Sequence, residues 1–163
     1  MSAHPLYILK LLLTARRPSK TRDMRAVSMP FWLHGSYDAV TFFGYIITNN
    51  DREAQLYNSL PVEGYHPVKH HETIHLRQAQ SVHNCWLLFY LRYGWYHLQG
   101  LRARRHLKNA GYELNPFEME AYANMYDRHY LERYPDGCAT GWQHYARMSV
   151  AGRYRAWRKQ NFR

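Results

Sequence analysis

The sequence predicts a mainly helical fold with a small β element, within the α+β class, and three observations support this. From Val68 onward, apolar residues recur at the spacing of a helix. Before that point, residues 26–48 are rich in β-branched and aromatic residues on either side of a turn-like segment. Asn115 and Pro116 mark a helix start, since Asn is a favoured N-cap and Pro suits the first helical position.

Residues 26–48 are expected to form a β-hairpin. The first strand is predicted within residues 26–33, the turn at residues 34–37 and the second strand at residues 40–48. Pro30 has no backbone N–H to donate to a neighbouring strand, which places the first strand at the edge of a sheet.

The segments that follow are predicted to be a loop and then a series of helices. The polar residues 49–67 form the loop, with one helical turn. Helices are then expected at residues 68–84, 86–108 and 116–134. Gly111 lies where a helix end is expected, and Glu118 falls at the third position of the last helix, where it can close a capping box.

Length and charge indicate one central domain with basic ends. We expect a basic N-terminal segment at residues 1–25 that contains a short amphipathic helix, a central domain at residues 26–137, and a basic aromatic tail at residues 138–163. The formal net charge of +10 favours anionic partners, either nucleic acid or an anionic membrane surface. Cys85 and Cys138 form no CxxC pair, which favours a reducing compartment.

The sequence predicts neither a secretory signal nor a membrane-spanning helix. The apolar stretch at residues 5–14 precedes Arg16 and Arg17, whereas a signal peptide carries its basic residues first. The longest aromatic and apolar stretch, residues 85–101, is interrupted by Arg92 and other polar residues. The expected location is the cytoplasm, which includes the peripheral surface of a membrane.

Residues 71–75 read His-Glu-Thr-Ile-His and have the spacing of a metal-binding motif. Positions four apart lie on one face of a helix, so His71 and His75 direct two imidazoles to one point. A zinc ion requires this arrangement of its first two ligands. Glu72 projects about 100° around the helix from His71, close enough to act as a general base on a water at that metal.

A third ligand is expected from a carboxylate further along the chain, because catalytic zinc sites use three protein ligands and a water. Residues 118–122 read Glu-Met-Glu-Ala-Tyr at the start of a predicted helix. The two motifs together resemble the gluzincin class of zinc metallopeptidases, in which HExxH precedes a helix bearing Glu-x-x-Ala-Asp or Glu-x-x-Ala-Asn. The sequence also resembles a set of small bacterial proteins that pair HExxHxxQ with FExEAY, over about residues 28–134.

The resemblance implies a minimal zincin-like domain, with a small β-sheet packed on the HExxH helix and a downstream helix that bears the third ligand. It implies one Zn²⁺ per chain, with His71, His75 and Glu118 as ligands and Glu72 as the general base. Glu120 is the alternative third ligand, because residues two apart point about 200° apart on a helix and only one can face the metal.

The implied activity is the hydrolysis of peptide or amide bonds, and the implied substrate is a peptide or protein. A peptide substrate would add a strand along residues 40–48. The wider class has Asp or Asn directly after the Ala, whereas this chain has Tyr122. Candidates for orienting a ligand or for donating to an oxyanion are Tyr122, Tyr126, Arg128, His129 and Gln78.

The sequence is also compatible with three other interpretations of function. In the first, zinc is structural and the protein binds nucleic acid through Arg102 to Arg105 and the basic aromatic tail. In the second, the stretch from Trp86 to Trp95, followed by the same arginines, lies on an anionic membrane surface. In the third, the fold of a peptidase binds zinc without turning over a substrate.

Overall fold

The structure is a computed structural model, and it describes residues 5–30, 39–60, 65–134 and 136–162. Within these ranges the chain is mainly helical, as predicted. The helices are α1 (Pro5–Thr14), α2 (Asp51–Ser59), α3 (Pro67–Ser81), α4 (Trp86–Gly100), α5 (Ala110–Glu113), α6 (Pro116–Asn124), α7 (Trp142–Ala146) and α8 (Val150–Asn161). None of them has the length and apolar character needed to cross a membrane.

The strands of the described residues form one mixed sheet. They are β1 (Arg25–Ser28), β2 (Ala39–Phe42) and β3 (Tyr45–Thr48), in the order β1-β3-β2. β3 is central, parallel to β1 and antiparallel to β2. The predicted position of the first strand at an edge is therefore confirmed, and β2 forms the other edge.

The predicted hairpin is wrong in its pairing. Residues 40–48 are not one strand, because Phe43 and Gly44 adopt positive φ angles of 47° and 89° and turn the chain back between β2 and β3. A two-residue turn of this kind favours glycine, so Gly44 is the residue in the sequence that indicates a turn here. β1 then pairs in parallel with β3. The turn predicted at residues 34–37 lies outside the described residues.

A full helix, α2, replaces most of the predicted loop after β3. The side chain of Asn50 accepts a hydrogen bond from the backbone N–H of Glu53 and so caps the helix. Asn58 fixes the helix to the sheet, since its side chain exchanges hydrogen bonds with the backbone N–H and C=O of Ala26. The polar composition of this segment reflects an exposed outer face of a helix.

α3 and α4 are confirmed, with earlier ends than predicted. α3 ends at Ser81 because His83 and Asn84 adopt left-handed φ angles of 53° and 52°, which turn the chain into α4. α4 ends at Gly100, where a Cβ would lie 2.5 Å from the carbonyl oxygen of Ala110. The backbone approach there requires a glycine.

Two further boundaries differ from the prediction. Gly111 lies inside the short helix α5 and does not end a helix. α6 begins as predicted, with the Asn115 side chain accepting from the N–H of Phe117, but it ends at Asn124, well before residue 134. Glu118 closes no capping box, because its carboxylate faces two histidines of α3.

The main core joins the sheet to α2, α3, α4, α6 and α7. Phe117 lies at its centre, with ring centroids 4.8 Å from Phe89 and 4.7 Å from Trp142. Burying one such aromatic side chain contributes roughly 1.5–3 kcal/mol. Trp142 belongs to the segment that the sequence set apart as a basic tail, and it is 4 % exposed. The core therefore holds α3 and α6 in a fixed relation, which positions the site.

Candidate metal centre

The site begins with two histidines one turn apart on α3. His71 and His75 are buried, and their Nε2 atoms lie 3.1 Å apart. The rings are nearly perpendicular, with an interplanar angle of 84°. The helix therefore brings two imidazole nitrogens to one point, as its spacing predicts.

Glu118 completes a triangle of donor atoms. It lies on α6, with Oε2 3.3 Å from Nε2 of His71 and Oε1 3.3 Å from Nε2 of His75. Ligand atoms at about 2.0–2.1 Å from a tetrahedral zinc ion lie about 3.3 Å from one another. One donor atom from each of the three residues lies within 4.8 Å of the other two, so the group could hold a metal ion.

The hydrogen bonding of this triangle also fits a cation. Glu118 is 3 % exposed, and among the described residues its Oε2 has no hydrogen-bond partner. A buried carboxylate oxygen without a donor is costly, and a metal ion would satisfy it. The other oxygen, Oε1, accepts a hydrogen bond of 2.8 Å from the hydroxyl of Tyr93.

Electrostatics bind the same three groups together. Burial lowers the pKa of His75, but the Glu118 carboxylate outweighs this and, with Glu72 and Gln78, raises that pKa to about 9. Burial raises the pKa of Glu118, but His75 and His71 outweigh it, and the pKa of this carboxyl is lowered. Without a metal, His75 is therefore protonated and forms an ion pair with the Glu118 carboxylate. A divalent cation bound there would displace the proton.

Gln78 contacts the Nδ1 atom of His75, and Glu120 in turn binds Gln78. Nδ1 of His75 lies 2.7 Å from Oε1 of Gln78, and Nε2 of Gln78 donates to Oε2 of Glu120 over 2.8 Å. This contact assigns the proton of His75 to Nδ1, so that its Nε2 is the available ligand atom.

Glu120 therefore occupies a different place from Glu118. Besides Gln78, its carboxylate accepts hydrogen bonds from the Tyr130 hydroxyl and from the backbone N–H groups of Gly141 and Trp142. It faces the start of α7, whereas Glu118 faces the histidines. Of the two glutamates that the sequence left as alternatives, Glu118 is the one that lies with the histidine pair.

Glu72 lines the same cavity as the three donor residues. The cavity has a volume of about 240 Å³ and lies between the edge strand β2, α3, α4 and α6. Thr41 on β2 donates a hydrogen bond of 2.5 Å to Oε2 of Glu72, which orients the carboxylate. The aromatic walls come from Phe89, Tyr90 and Tyr93 of α4.

Thr41, Tyr93 and Tyr112 are residues that the sequence did not single out. Tyr112 lines the cavity, and its hydroxyl lies 2.9 Å from that of Tyr122. Burial first, and then the charge of Glu118, raise the pKa of Tyr112, so it keeps its proton. With fifteen tyrosines in the chain, no local pattern distinguishes the three that line the cavity, Tyr90, Tyr93 and Tyr112.

The other predicted supporting residues fall in two groups. Tyr122 is near, with its ring centroid 4.5 Å from that of His71, although it does not line the cavity. Tyr126, Arg128 and His129 are exposed and do not line the cavity either. His129 pairs with Glu132 instead.

Comparison with known proteins adds no relative. No protein-family model matches the chain, and neither a curated protein nor a solved structure is significantly similar to it. What the structure supports is a buried group of His71, His75 and Glu118 that could hold a metal ion.

Proposed function

We propose that this protein is a zinc-dependent hydrolase of peptide or amide bonds. The observation that carries the proposal is the position of Glu72. It follows the donor residue His71 directly, it lines the cavity that the three donors share, and its carboxylate accepts a hydrogen bond from Thr41. A merely structural metal site has no need of a carboxylate beside it.

Two further observations support zinc in an open site. Two imidazole nitrogens and one carboxylate oxygen are a donor set that zinc prefers, and it is the set of several zinc hydrolases. Structural zinc sites are closed by four protein ligands, whereas the described residues bring together three. A zinc ion there would supply Lewis-acid activation of a water and of a substrate carbonyl.

The chain supplies the proton transfers and the substrate contacts. Glu72 would accept the proton of the attacking water and pass it to the leaving amine. Tyr112 lines the cavity and its hydroxyl keeps its proton, so this hydroxyl would be a donor for the oxygen that gains charge. β2 is an edge strand whose Val40 is 38 % exposed, and a peptide could pair with it beside the cavity.

The test combines metal content with hydrolysis. The full chain is purified with zinc, its metal content is measured by elemental analysis, and it is assayed against a broad library of quenched fluorescent peptides. The variant Glu72→Gln is expected to keep its zinc and to lose hydrolysis by about 10²–10⁴-fold. Glu132→Gln, which removes an exposed carboxylate elsewhere, is the matched control and should change neither quantity.

Two outcomes would overturn the proposal. If zinc-replete preparations contain no zinc, the site does not bind it. If zinc binds but wild type and Glu72→Gln hydrolyse the library equally, the protein is a zinc-binding protein that does not use Glu72 as a base.

A further inference from the structure

α4 presents an apolar stripe to solvent. Leu87, Leu91, Trp95 and Leu98 are 60 %, 61 %, 57 % and 61 % exposed, and their spacing places them on one side of the helix. The stripe extends about 16 Å along the helix axis. Single exposed leucines are ordinary on a protein surface, but a continuous row that includes a tryptophan marks an interaction surface.

α1 extends this surface. Leu12 of α1 and Leu87 of α4 line one groove, together with Arg16 and Arg17. The indole N–H of Trp86 donates to the carbonyl of Arg16 over 2.9 Å, which fixes the end of α1 against the start of α4. The outer leucines of α1 are Leu6, Leu9 and Leu13, and all are exposed. We refer to the exposed side chains of these two helices as the α1/α4 face.

The charge around the α1/α4 face has one sign. Residues 5–22 and 73–112, which contain the two helices, have no Asp or Glu and contain half of the 22 lysines and arginines of the chain. The exposed cations that follow or interrupt the helices are Lys10, Arg16, Arg17, Arg92, Arg102, Arg104 and Arg105. Among the described residues none of these cations forms an ion pair with a carboxylate, so unpaired positive charge accompanies the apolar surface.

We propose that the α1/α4 face binds the surface of an anionic lipid bilayer. Leucine and tryptophan on one side of a helix, with arginines at its flanks, are the composition of helices that lie in the membrane interface. Anionic headgroups supply the charge that the face lacks, at roughly a fivefold gain in binding for each Lys or Arg near the surface. A protein partner with an ordinary mixed surface would leave many of these cations unpaired.

The position of the face also relates it to the metal site. Other side chains of α4, namely Phe89, Tyr90 and Tyr93, line the metal cavity. A protein bound through the outer stripe of α4 would thus hold the cavity next to the bilayer. The proposal does not depend on catalysis, because membrane binding uses none of the metal-site residues.

The experiment is flotation of the full chain with vesicles. Vesicles of phosphatidylcholine alone are compared with vesicles that contain about one third phosphatidylglycerol, at low and at high salt. The protein should float with the anionic vesicles, float little with the neutral ones, and be released as salt is raised. Absence of binding to the anionic vesicles would overturn the proposal.

Paired variants locate the surface. Leu91→Gln with Trp95→Gln should lower the partition coefficient by at least about tenfold, whereas Leu56→Gln with Phe162→Gln, which removes exposed apolar side chains elsewhere, should leave it unchanged. Replacing Arg102, Arg104 and Arg105 with Gln should weaken binding far more than the same change at Arg155, Arg158 and Lys159 of α8. Equal losses in the control variants would overturn the proposal.

Light scattering without lipid tests whether the α1/α4 face instead binds a second copy of this chain. If wild type is a dimer and the Leu91→Gln, Trp95→Gln variant is a monomer, the face joins two copies of this chain and the lipid proposal fails. The far-UV circular dichroism spectrum, measured for every variant, should be unchanged and shows that the fold is intact. The flotation result does not depend on whether the protein is a hydrolase.

Discussion

His75 and Gln78 are joined by a short contact that fixes the chemistry of the histidine. Nδ1 of His75 lies 2.7 Å from Oε1 of Gln78. The amide nitrogen of Gln78 is committed to Glu120 and to the carbonyl of Phe117, so its oxygen has to face the histidine. His75 then donates from Nδ1, and when a metal ion displaces the proton held between His75 and Glu118, Nε2 offers its lone pair to that ion.

Gln78→Leu should therefore weaken zinc binding without removing a ligand. We expect the dissociation constant for zinc to rise by about 10–100-fold, the range found when a supporting hydrogen bond to a ligating histidine is lost. Competition with a chromophoric chelator measures it. Gln80→Leu is the matched control, because Gln80 is also a buried glutamine of α3 but donates to the carbonyl of Pro18. An equal change in both variants would show a general loss of stability.

Glu118 and Glu120 should respond in opposite ways to the same substitution. Glu118→Gln should lose most of the bound zinc, since it removes the charged donor. Glu120→Gln should keep its zinc at one per chain but unfold more easily, by about 1.5–3 kcal/mol, because a buried carboxylate that accepts four hydrogen bonds is replaced. Elemental analysis and urea unfolding measure the two effects. Zinc loss in a folded Glu120→Gln protein would contradict this assignment.

The sequence predicted the parts of the site that depend on local geometry. The pairing of His71 with His75 follows from helix periodicity, and Asn115 marked the start of α6. The choice between Glu118 and Glu120 was beyond it, because both residues are buried and only the docking of α6 against α3 decides which one faces the histidines.

The errors in the predicted β-sheet have a similar cause, because they too depend on how the elements pack. The β2–β3 turn needed two residues with positive φ, and Phe43 gave no sign that it would adopt one. Thr41 and Tyr93 reach the site from β2 and α4, and their contacts depend on how these elements pack. Tertiary packing, which local patterns do not encode, thus selects the residues around the metal donors.

Thr41→Val should impair the role of Glu72 and leave metal binding intact. The change keeps the shape of the side chain and removes the hydroxyl that donates to Oε2 of Glu72. We expect zinc content to be unchanged and kcat to fall by about tenfold, since a base that is less firmly oriented transfers protons less well. Thr41→Ser restores the hydroxyl and should restore most of the rate. A normal rate in Thr41→Val would show that Glu72 needs no such support.

The metal-free protein should lose stability as pH rises through about 9. The pKa of His75 is raised from 6.5 to about 9 in the folded state, so its protonated form is stabilised by folding. That stabilisation is fully present below pH 6.5, falls as pH rises through 9, and amounts to about 3 kcal/mol at most. Urea unfolding in a chelator, from about pH 6 to about pH 10, measures it.

Two comparisons identify His75 as the source of this dependence. Glu118→Gln removes the charge that raises the pKa of His75, so the loss of stability above neutral pH should largely disappear. His144→Ala, at a histidine for which no buried carboxylate partner exists among the described residues, should behave as wild type. Zinc-saturated protein should show little of the dependence, because a cation held by Nε2 of His75 and by Glu118 replaces the shared proton. A metal-free wild type whose stability stays constant over this range would show that His75 and Glu118 do not form the ion pair that their 3.3 Å separation indicates.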